Sequence, residues 1–513
     1  MSKNIVVCCD GTGNEFGDAN SNAIRLYSVL HKDPATQVAY YHPGVGTMGS
    51  KNALTTIGKK WTYFKGKAFG YGISENVADA YQYLMRMYQP GDKVFVFGFS
   101  RGAYTARMLT AILHLFGILP EGNEGLIPYA IRYFKGEGAV KFGPGFKHTF
   151  GSPCDPHFLG LWDTVSSVGW LIDPPWPLVN KLPDICFIRH AMAIDEHRAF
   201  FRENPVDETV QPGRDLKQVW FAGVHSDIGG SYTEITSGLS KISLQWMLSE
   251  AETAGLLLNR ETLAKELGAY PTSVRPNAAA VMHNSFTPLW WCLAEFVPKW
   301  FLNRTAVSTG RYRRRLQMNL FRRRIIPEGA ILHESVLFRR ALVPEYRPSN
   351  LPTQYAVERE PAAPYVSSEP IHLSQGQSIS IEIVAREKWI AAPIKVEEGE
   401  MYELIASGTW KDSTIPAGPA GYERPTNNFL APLFAMLAPF RRLPKANWIA
   451  LVGMINHEKS TAFYFTDTYA ETPARRQIFI RMARSGCLNF FANDLPWMYF
   501  NNKSALQLSV KRL

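Results

Sequence analysis

The N-terminal part of the chain alternates short apolar runs with polar, glycine-rich loops. Four runs are almost free of polar residues: residues 5–9, 93–99, 158–162 and 218–224. An uninterrupted apolar run is typical of a strand that is buried on both faces of a parallel sheet. We therefore expect each run to be a central strand whose carboxyl end leads into a loop.

Helical spacing of apolar residues occurs between and after these runs. The predicted helices are residues 20–30, 73–88, 189–198 and 239–256. The order of strand, loop, helix and strand predicts an α/β fold with a mostly parallel, right-handed sheet. Residues 120–156 follow neither pattern, so we expect a loop-rich insertion there that forms a lid or a binding loop.

The pattern changes after residue 343. Residues 344–377 are rich in Pro, Ser and charge and predict a linker. Short strand-like runs separated by turn residues then fill residues 378–513, which predicts an all-β sandwich. The expected organisation is an α/β domain over residues 1–343, the linker, and the β-sandwich.

Composition and charge narrow the function classes. The net charge of +10 favours anionic partners, either phospholipid headgroups or nucleic acid. Six scattered cysteines form no C-x-x-C pair, so neither a zinc site nor a disulfide framework is expected. The N-terminus lacks an apolar signal region and no run is long enough to cross a bilayer, so we expect synthesis in the cytoplasm without a signal peptide.

The run at residues 93–99 leads into G-x-S-x-G and then into a helical pattern. This context predicts a nucleophile elbow, in which Ser100 lies on a sharp turn between strand and helix. Gly98 and Gly102 leave space for neighbouring backbone. The amides of Arg101 or Ala103 would then face the oxyanion. The alternative is a purely structural turn.

Two further apolar runs end in residues that complete a catalytic set. Asp163 follows residues 158–162 and is the candidate acid, with a helix N-cap or turn residue as the alternative. His225 follows residues 218–224 and completes the chain order Ser, Asp, His of an α/β hydrolase. Asp227 either orients His225 or binds a cation. His283 and His333 are rival bases, which we rank below His225 because they fall outside this alternation.

The first strand ends in Asp-Gly-Thr-Gly-Asn at residues 10–14. Gly11 or Thr12 is a candidate for a second oxyanion donor, and Asp10 would fix the loop. A tight turn capped by its own Asp and Asn side chains is the alternative. The spacing of a nucleotide-binding loop is missing.

A segment rich in aromatic and basic residues follows the predicted α/β core. It contains Trp290, Trp291, Trp300, Arg313, Arg314 and Arg315. Large aromatics beside a basic cluster are typical of a surface that contacts an anionic membrane. The alternative is a buried aromatic helix beside a solvated basic face. We expect no nucleic-acid partner, because no known base-reading motif accompanies the arginines.

Four motifs together resemble the α/β-hydrolase domain of the type VI secretion lipase effectors. They are C-D-G-T-G-N, G-F-S-R-G-A-Y-T-A-R, L-W-D-T-V and V-H-S-D-I-G-G, within residues 3–340. The resemblance implies a phospholipase with a triad of Ser100, Asp163 and His225, delivered into the periplasm of a rival bacterium. It also implies a secretion-spike protein, a chaperone and an immunity protein as partners.

Residues 493–502 contain Asp and Asn side chains, whose hard oxygens suit Ca²⁺, although such residues are also common in ordinary loops. The segment fits the pattern N-D-x-P-x-x-Y-x-N-N and resembles the metal loop of the calcium-dependent, galactose-binding PA-I-like lectins. The resemblance implies Ca²⁺ ligands at Asp412, Asp494, Asn501 and Asn502 and at the carbonyl of Met498. It also implies a carbohydrate partner.

Taken together, the residues predict a serine esterase that needs no catalytic cofactor, and the resemblance implies phospholipid substrates. Two alternatives stay open at this point. One is hydrolysis of small soluble esters. The other is a carbohydrate- or membrane-binding protein whose hydrolase fold is inactive.

Overall fold

The computed structural model describes residues 2–11, 14, 17–44, 67–136, 138–165, 179–182, 184–208, 215–268, 274–286, 290–303, 313–343, 345–360, 370–387, 389–423, 431–465 and 474–513. The chain divides into two compact units. The first comprises residues 1–267, 282–334 and 348–366, and the second comprises residues 268–281, 335–347 and 367–513.

A parallel sheet of eight strands forms the centre of the first unit. The strands of this unit are β1 Asn4–Cys9, β2 Gln37–His42, β3 Lys93–Phe99, β4 Phe158–Trp162, β5 Phe187–Ala193, β6 Asp215–Phe221, β7 Lys299–Asn303, β8 Arg313–Gln317, β9 Ala330–His333 and β10 Tyr355–Glu358. The sheet order is β10-β9-β6-β5-β4-β3-β1-β2, while β7 and β8 form a separate antiparallel pair. The predicted α/β fold with a parallel sheet is confirmed.

Helices follow most of these strands, as the sequence pattern predicts. They are α1 Asn22–Val29, α2 Lys67–Met87, α3 Arg101–Phe116, α4 Ile127–Lys135, α5 Ala139–Phe150, α6 His225–Gly229, α7 Gly238–Thr253, α8 Arg260–Glu266, α9 Trp290–Ala294 and α10 Glu334–Leu342. Helix α3 is buried along almost its whole length. Its apolar side chains pack with those of β1 and β3 in one buried cluster. This packing fixes the start of α3 against the sheet.

Three predicted features differ in the structure. The predicted helix at residues 189–198 is partly the strand β5, because Arg189 is buried beside Glu250 and therefore does not mark an exposed helix face. The loop-rich insertion at residues 120–156 contains the helices α4 and α5. The predicted linker at residues 344–377 contains β10. This edge strand has no fully buried residue, so it lacks the buried apolar run by which the central strands are predicted.

The second unit is built mainly of antiparallel sheets. Its strands are β11 Ile371–His372, β12 Ser378–Val384, β13 Ile390–Val396, β14 Met401–Ser407, β15 Trp410–Asp412, β16 Ile415–Ala417, β17 Leu451–Ile455, β18 Phe463–Tyr464, β19 Arg475–Arg481, β20 Gly486–Ala492, β21 Asn502–Lys503 and β22 Ala505–Arg512. The described helix α11 Ala431–Leu437 interrupts them, and α10 also belongs to this unit from Ser335 onward.

Sheets of five, four and three strands result, in the orders β11-β13-β20-β17-β18, β12-β22-β14-β19 and β16-β15-β21. One buried cluster contains side chains of the two larger sheets, including Ile394, Tyr402, Phe490 and Leu508. These two sheets therefore share a core, as layered antiparallel sheets do. Within the described ranges, no helix combines the length and the apolar character that crossing a membrane requires.

Candidate active site

Three strand ends lie side by side at the carboxyl edge of the first sheet. β3 pairs with β4 on one side and with β1 on the other, so that Phe99 lies opposite Trp162 and Gly98 opposite Cys9. The residues that follow these strands are therefore neighbours in space. Functional groups in open α/β sheets gather at such an edge.

Ser100 has the backbone conformation of a nucleophile elbow. Its φ is +59° and its ψ is −120°, a region that non-glycine residues rarely adopt. The turn is possible because Gly98 and Gly102 lack side chains. A Cβ on Gly102 would lie 2.2 Å from the carbonyl oxygen of Cys9, and a Cβ on Gly98 would lie 2.5 Å from that of Gly102.

The structure brings Ser100, His225 and Asp163 into one hydrogen-bonded series. The distance from Ser100 Oγ to His225 Nε2 is 2.8 Å, and that from His225 Nδ1 to Asp163 Oδ2 is 2.6 Å. All three side chains are buried. With Nδ1 protonated, Nε2 is left as the acceptor for the serine hydroxyl, which is the arrangement of a serine nucleophile and its base.

Asp163 also contacts a cation, which the sequence did not identify as part of a site. The guanidinium of Arg324 donates to Asp163 Oδ1 at 2.5 Å and to Oδ2 at 2.9 Å. The amide of Ala193 also donates to Oδ1, at 2.9 Å. Arg324 is the last of three consecutive arginines, and nothing in the local sequence distinguishes it from Arg322 and Arg323.

Burial and charge act in opposite directions on these groups. Burial alone opposes ionisation of Asp163, but Arg324 and His225 outweigh it and hold the pKa of that carboxyl far below its ordinary value. Burial lowers the pKa of the His225 imidazole, against the opposing effect of Asp163. A neutral imidazole beside an ionised carboxylate is the state that a general base requires.

The imidazole of His225 is also held by packing. The ring of Phe99 stacks on it at a centroid distance of 4.8 Å, and the ring of Phe201 contacts it edge-on at 4.8 Å. The backbone amide of His225 donates to the buried carboxylate of Glu196 at 3.2 Å, and Glu196 is itself paired with Arg198. These contacts restrict the position of the ring.

The loop after β1 is organised by the carboxylate of Asp10. Four donors bond to it: the side chains of Asn14, Ser21 and Tyr41 and the amide of Gly11. Asp10 therefore fixes the loop, as expected, and has no contact with His225 among the bonds of the described residues. The amide N–H of Gly11 already donates to Asp10, so it is not a second oxyanion donor in this conformation. The other predicted donor of this loop, Thr12, lies outside the described residues.

Asp227 orients a different histidine from the one that the sequence suggested. Its Oδ1 accepts from His283 Nδ1 at 2.6 Å, and the ring of Tyr232 stacks on His283 at 3.5 Å. The expectation that Asp227 orients His225 is therefore wrong, because Asp163 occupies Nδ1 of that ring. His333 is a buried core residue stacked on Phe221, and burial lowers its pKa to about 3.

The aromatic and basic segment is described only in part. The backbone of the segment forms α9, β7 and β8. The side chains predicted to face a membrane lie outside the described residues, namely those of Trp290, Trp291, Trp300, Arg313, Arg314 and Arg315. Five nearby apolar side chains are described and exposed: Leu316, Met318, Leu320, Phe321 and Ile325.

The residues of the predicted metal loop lie together in the second unit. Asp412 and Asn502 are partners in the pairing of β15 with β21, and Asn501 donates to Asp412 Oδ1 at 2.8 Å. Within the described part of this unit, three buried oxygens meet no hydrogen-bond donor: Asp494 Oδ2, Asn501 Oδ1 and Asn502 Oδ1. Unsatisfied buried oxygens of this kind are the donor set that Ca²⁺ prefers.

The remaining predicted ligands have partners that leave coordination capacity. Asp412 Oδ2 accepts from the hydroxyl of Tyr422 at 2.6 Å, and the carbonyl of Met498 accepts from the amide of Asn501 at 3.2 Å. A carboxylate or carbonyl oxygen has a second lone pair beyond one such bond. The residues present therefore fit a hard cation.

Comparison with known proteins finds a family model that matches the part of the chain containing Ser100, Asp163 and His225. Residues 3–250 match the family model described as T6SS, Phospholipase effector Tle1-like, catalytic domain. The predicted resemblance to type VI lipase effectors is confirmed over these residues, which identifies them as a hydrolase catalytic domain.

Individual relatives match only parts of this chain. The uncharacterized protein YEL023C of Saccharomyces cerevisiae is 31% identical over 220 residues, which cover 39% of this chain and 32% of that protein. The chain thus spans about a third of this curated relative. The structure of the Tle1 effector bound to the VgrG spike from the type 6 secretion system is similar at 19% identity and a TM-score of 0.29, covering 47% of this chain and 53% of that one. The EclA N-terminal domain, a PllA-like lectin, gives 16% identity and a TM-score of 0.18, covering 26% and 95%.

Proposed function

We propose that this protein, through the Tle1-like catalytic domain matched by residues 3–250, is a serine hydrolase that cleaves ester bonds of phospholipids. The observation that supports this most is the series from Ser100 Oγ through His225 to Asp163. It lies at a strained strand-to-helix turn, which holds the hydroxyl in place for attack.

The chemistry follows from the bonds in this series. His225 Nε2 accepts the Ser100 proton as Oγ attacks the ester carbonyl carbon, and it then gives that proton to the leaving alcohol. Asp163 accepts from Nδ1 and stabilises the imidazolium that forms. Water then repeats the attack on the acyl-enzyme and regenerates Ser100.

The oxyanion of the tetrahedral intermediate needs N–H donors. We assign this role to the amides of Arg101 and Ala103, because both lie at the N-terminus of a helix, where the positive end of the helix dipole favours a negative charge. Both residues belong to the first turn of α3, next to Ser100. Gly11 packs beside Ser100, but its amide N–H already donates to Asp10. In this proposal the N-terminus of α3 therefore stabilises the negative charge of the oxyanion.

Ser100→Ala tests the reaction, and the choice of substrate tests the class. We expect wild type to hydrolyse phospholipid vesicles and to react with a fluorophosphonate, and Ser100→Ala to lose both by at least about a thousandfold. Ser249→Ala, a half-buried serine on α7, is the matched control and keeps both. Equal turnover by wild type and Ser100→Ala would refute the serine mechanism. Activity only on a short-chain ester would favour the small-ester alternative, and no activity on either would favour the inactive fold.

We infer further that the enzyme is an antibacterial effector delivered by a type VI system, with a spike protein of the VgrG kind as partner. The support is the family of residues 3–250. Growth of a bacterial host should stop when the wild-type chain is directed to its periplasm, and should continue with Ser100→Ala. Growth arrest by both variants would show that toxicity does not depend on hydrolysis. A chaperone and an immunity protein are further expected partners.

Membrane contact is proposed for the surface next to β8. The exposed apolar side chains Leu316, Met318, Leu320, Phe321 and Ile325 support it. Apolar side chains beside basic residues insert at the boundary of an anionic bilayer, while the cations bind headgroups. We therefore assign this surface to contact with membrane phospholipid, and from the sequence alone we extend the assignment to Trp290, Trp291, Trp300, Arg313, Arg314 and Arg315.

A second function is proposed for the second unit, namely Ca²⁺ binding that supports a carbohydrate site. The three unsatisfied oxygens of Asp494, Asn501 and Asn502 favour it. Asp412 and the Met498 carbonyl would complete the ligand set, and bound Ca²⁺ would offer open positions to sugar hydroxyls. Calorimetry should show Ca²⁺ binding by wild type and none by Asp494→Ala. Heat of binding that is identical for both would remove this assignment, and galactose titrated into the Ca²⁺ form tests the sugar.

A further inference from the structure

Arg324 is buried, although the two arginines before it in the sequence are exposed. Its side chain is fully buried, whereas Arg323 next to it is 46% exposed. The guanidinium donates to both oxygens of Asp163 and also to the carbonyls of Ala193 and Phe201. A fully buried cation is costly unless it is paired and hydrogen-bonded. Burial of the Arg324 guanidinium therefore requires the Asp163 carboxylate as its partner.

We propose that Arg324 is a positioning residue of the hydrolase, which fixes the plane of the Asp163 carboxylate and supplies its counter-charge. The proposal rests on the serine-hydrolase function given above. Arg324 has no role in contacting the substrate. It acts only through Asp163.

The geometry of Asp163 shows why a guanidinium, with its two parallel N–H groups, is needed. Asp163 has a φ of +40°, in the left-handed region that most residues other than Gly, Asn and Asp avoid. Its Oδ1 accepts from Arg324 and Ala193, and its Oδ2 accepts from Arg324 and His225. The planar guanidinium matches both oxygens at once, which a lysine ammonium does not. Arg324 thus sets the plane of the carboxylate and directs Oδ2 to His225.

The charge of Arg324 has a separate effect. With the guanidinium present, the buried carboxylate already has a counter-charge, so it attracts a proton on His225 less strongly. Without the guanidinium, a proton shared by Asp163 and His225 becomes the nearest compensating charge. The proton affinity of the pair should then rise, because an uncompensated buried anion is costly.

Among the described residues, the other charged groups around the pair have partners of opposite charge or are neutral, and Glu203 and Arg202 attract each other. Glu196 and Arg198 face His225 and are paired with each other. His190 faces Asp163 from β5, and burial lowers its pKa to about 3, so it is neutral over the working range. Glu203 faces Arg324 and adds a weaker attraction for that cation. The removal of Arg324 is therefore the largest single change of charge at Asp163.

The test is the pH dependence of kcat/KM on a water-soluble short-chain ester, measured with the full chain. We compare wild type, Arg324→Gln and Arg324→Lys. Arg260→Gln is the matched control, because it removes a guanidinium that is 66% exposed in the same unit. The acid limb of Arg324→Gln should move to higher pH by about one unit or more. Arg324→Lys should keep the limb near that of wild type but lose about tenfold in kcat, since it retains the charge without the fork.

Three results would overturn the inference. The first is an Arg324→Gln enzyme with the acid limb of wild type, whatever its thermal stability, because a merely structural role does not move a pH profile. The second is an Arg324→Lys enzyme with the kcat of wild type, which removes the positioning role. The third is an Arg260→Gln enzyme whose acid limb moves as far as that of Arg324→Gln, because the shift would then not depend on the contact with Asp163.

Failure of the proposed function is distinguishable from failure of this inference. If Ser100→Ala hydrolyses the short-chain ester as fast as wild type, the serine mechanism fails, whatever the Arg324 variants do. If Ser100→Ala is inactive and Arg324→Gln has an unchanged acid limb, the enzyme is a serine hydrolase and only the role of Arg324 is wrong.

Discussion

Replacing Asp494 by Asn should stabilise the second unit when metal is absent and remove its response to Ca²⁺. Asp494 is only 3% exposed, and its Oδ2 meets no donor among the described residues. Burial, with a smaller contribution from Asp412, raises the pKa of this carboxyl from 3.8 to about 6, against the opposing effects of the Leu495 amide and the Asn502 side chain. The folded state therefore holds its proton more tightly than the unfolded state does.

The size of the effect follows from this pKa difference. A rise from 3.8 to about 6 corresponds to about 3 kcal/mol of differential free energy. Because the folded pKa is raised, the native state binds more protons between these values, and stability falls as pH increases through this range. Above about pH 7 the metal-free protein carries the full cost. Asn is nearly isosteric with Asp and uncharged, so it should recover up to about 3 kcal/mol there.

Thermal unfolding of the full chain measures this in EDTA and in Ca²⁺, at pH 5 and pH 7.5. In EDTA at pH 7.5, Asp494→Asn should melt at a higher temperature than wild type, with a smaller difference at pH 5. In Ca²⁺ at a hundred times its Kd, wild type should gain about 2.7 kcal/mol and the variant nothing.

The matched control is Glu382→Gln, an exposed carboxyl on β12, which should change neither transition. If Asp494→Asn is no more stable than wild type in EDTA at pH 7.5, the buried carboxyl carries no electrostatic cost and the reasoning is refuted. Equal stabilisation of both proteins by Ca²⁺ would place the ion elsewhere.

Three further predictions concern the first unit. Gly102→Ala should cost about 1–3 kcal/mol in thermal unfolding and abolish fluorophosphonate labelling, since its Cβ would lie 2.2 Å from a backbone oxygen. Gly145→Ala, whose Cβ meets nothing within 4 Å, is its control, and wild-type labelling of Gly102→Ala would contradict the elbow packing. Tyr41→Phe removes a 2.7 Å bond to Asp10 and should cost about 1–2 kcal/mol in urea unfolding, whereas an unchanged midpoint would mean that the other donors suffice. In a Ser100→Ala background, Leu320→Asn with Phe321→Asn should reduce sedimentation with anionic vesicles several-fold, because both side chains are exposed and Asn tolerates their positive φ. Leu257→Asn is the matched exposed control, and a loss equal to its own would argue against membrane contact at β8.

Local pattern accounts for much of the first unit. Apolar runs marked β1, β3, β4 and the end of β6, and the Gly spacing around Ser100 marked the elbow. The pattern failed at β5, where helical spacing included Arg189, because buried ion pairs allow charged residues inside a sheet. It also failed at α5, where Pro144 and its glycines indicated a loop although Gly143 packs closely against Leu115.

The carboxylate partners of His225 and His283 are also not determined by local sequence pattern. Chain order correctly favoured His225 as the partner of Ser100 in space, but it could not decide which carboxylate belongs to which ring. Asp227 is two residues from His225, yet it bonds to His283, while Asp163 bonds to His225 from 62 residues away. Distance along the chain does not determine a hydrogen-bond partner once strands align their ends.

By itself, the sequence determined the parallel sheet, the turn at Ser100 and the edge at which Asp163 and His225 meet it. Strand burial and glycine spacing are local properties, and parallel strands necessarily bring their carboxyl ends to one side. Only the tertiary structure decided the role of Arg324, which is identical in type to Arg322 and Arg323. Its partner Asp163 lies 161 residues away, and a charge becomes part of a site only when folding removes water from it and supplies an opposite charge.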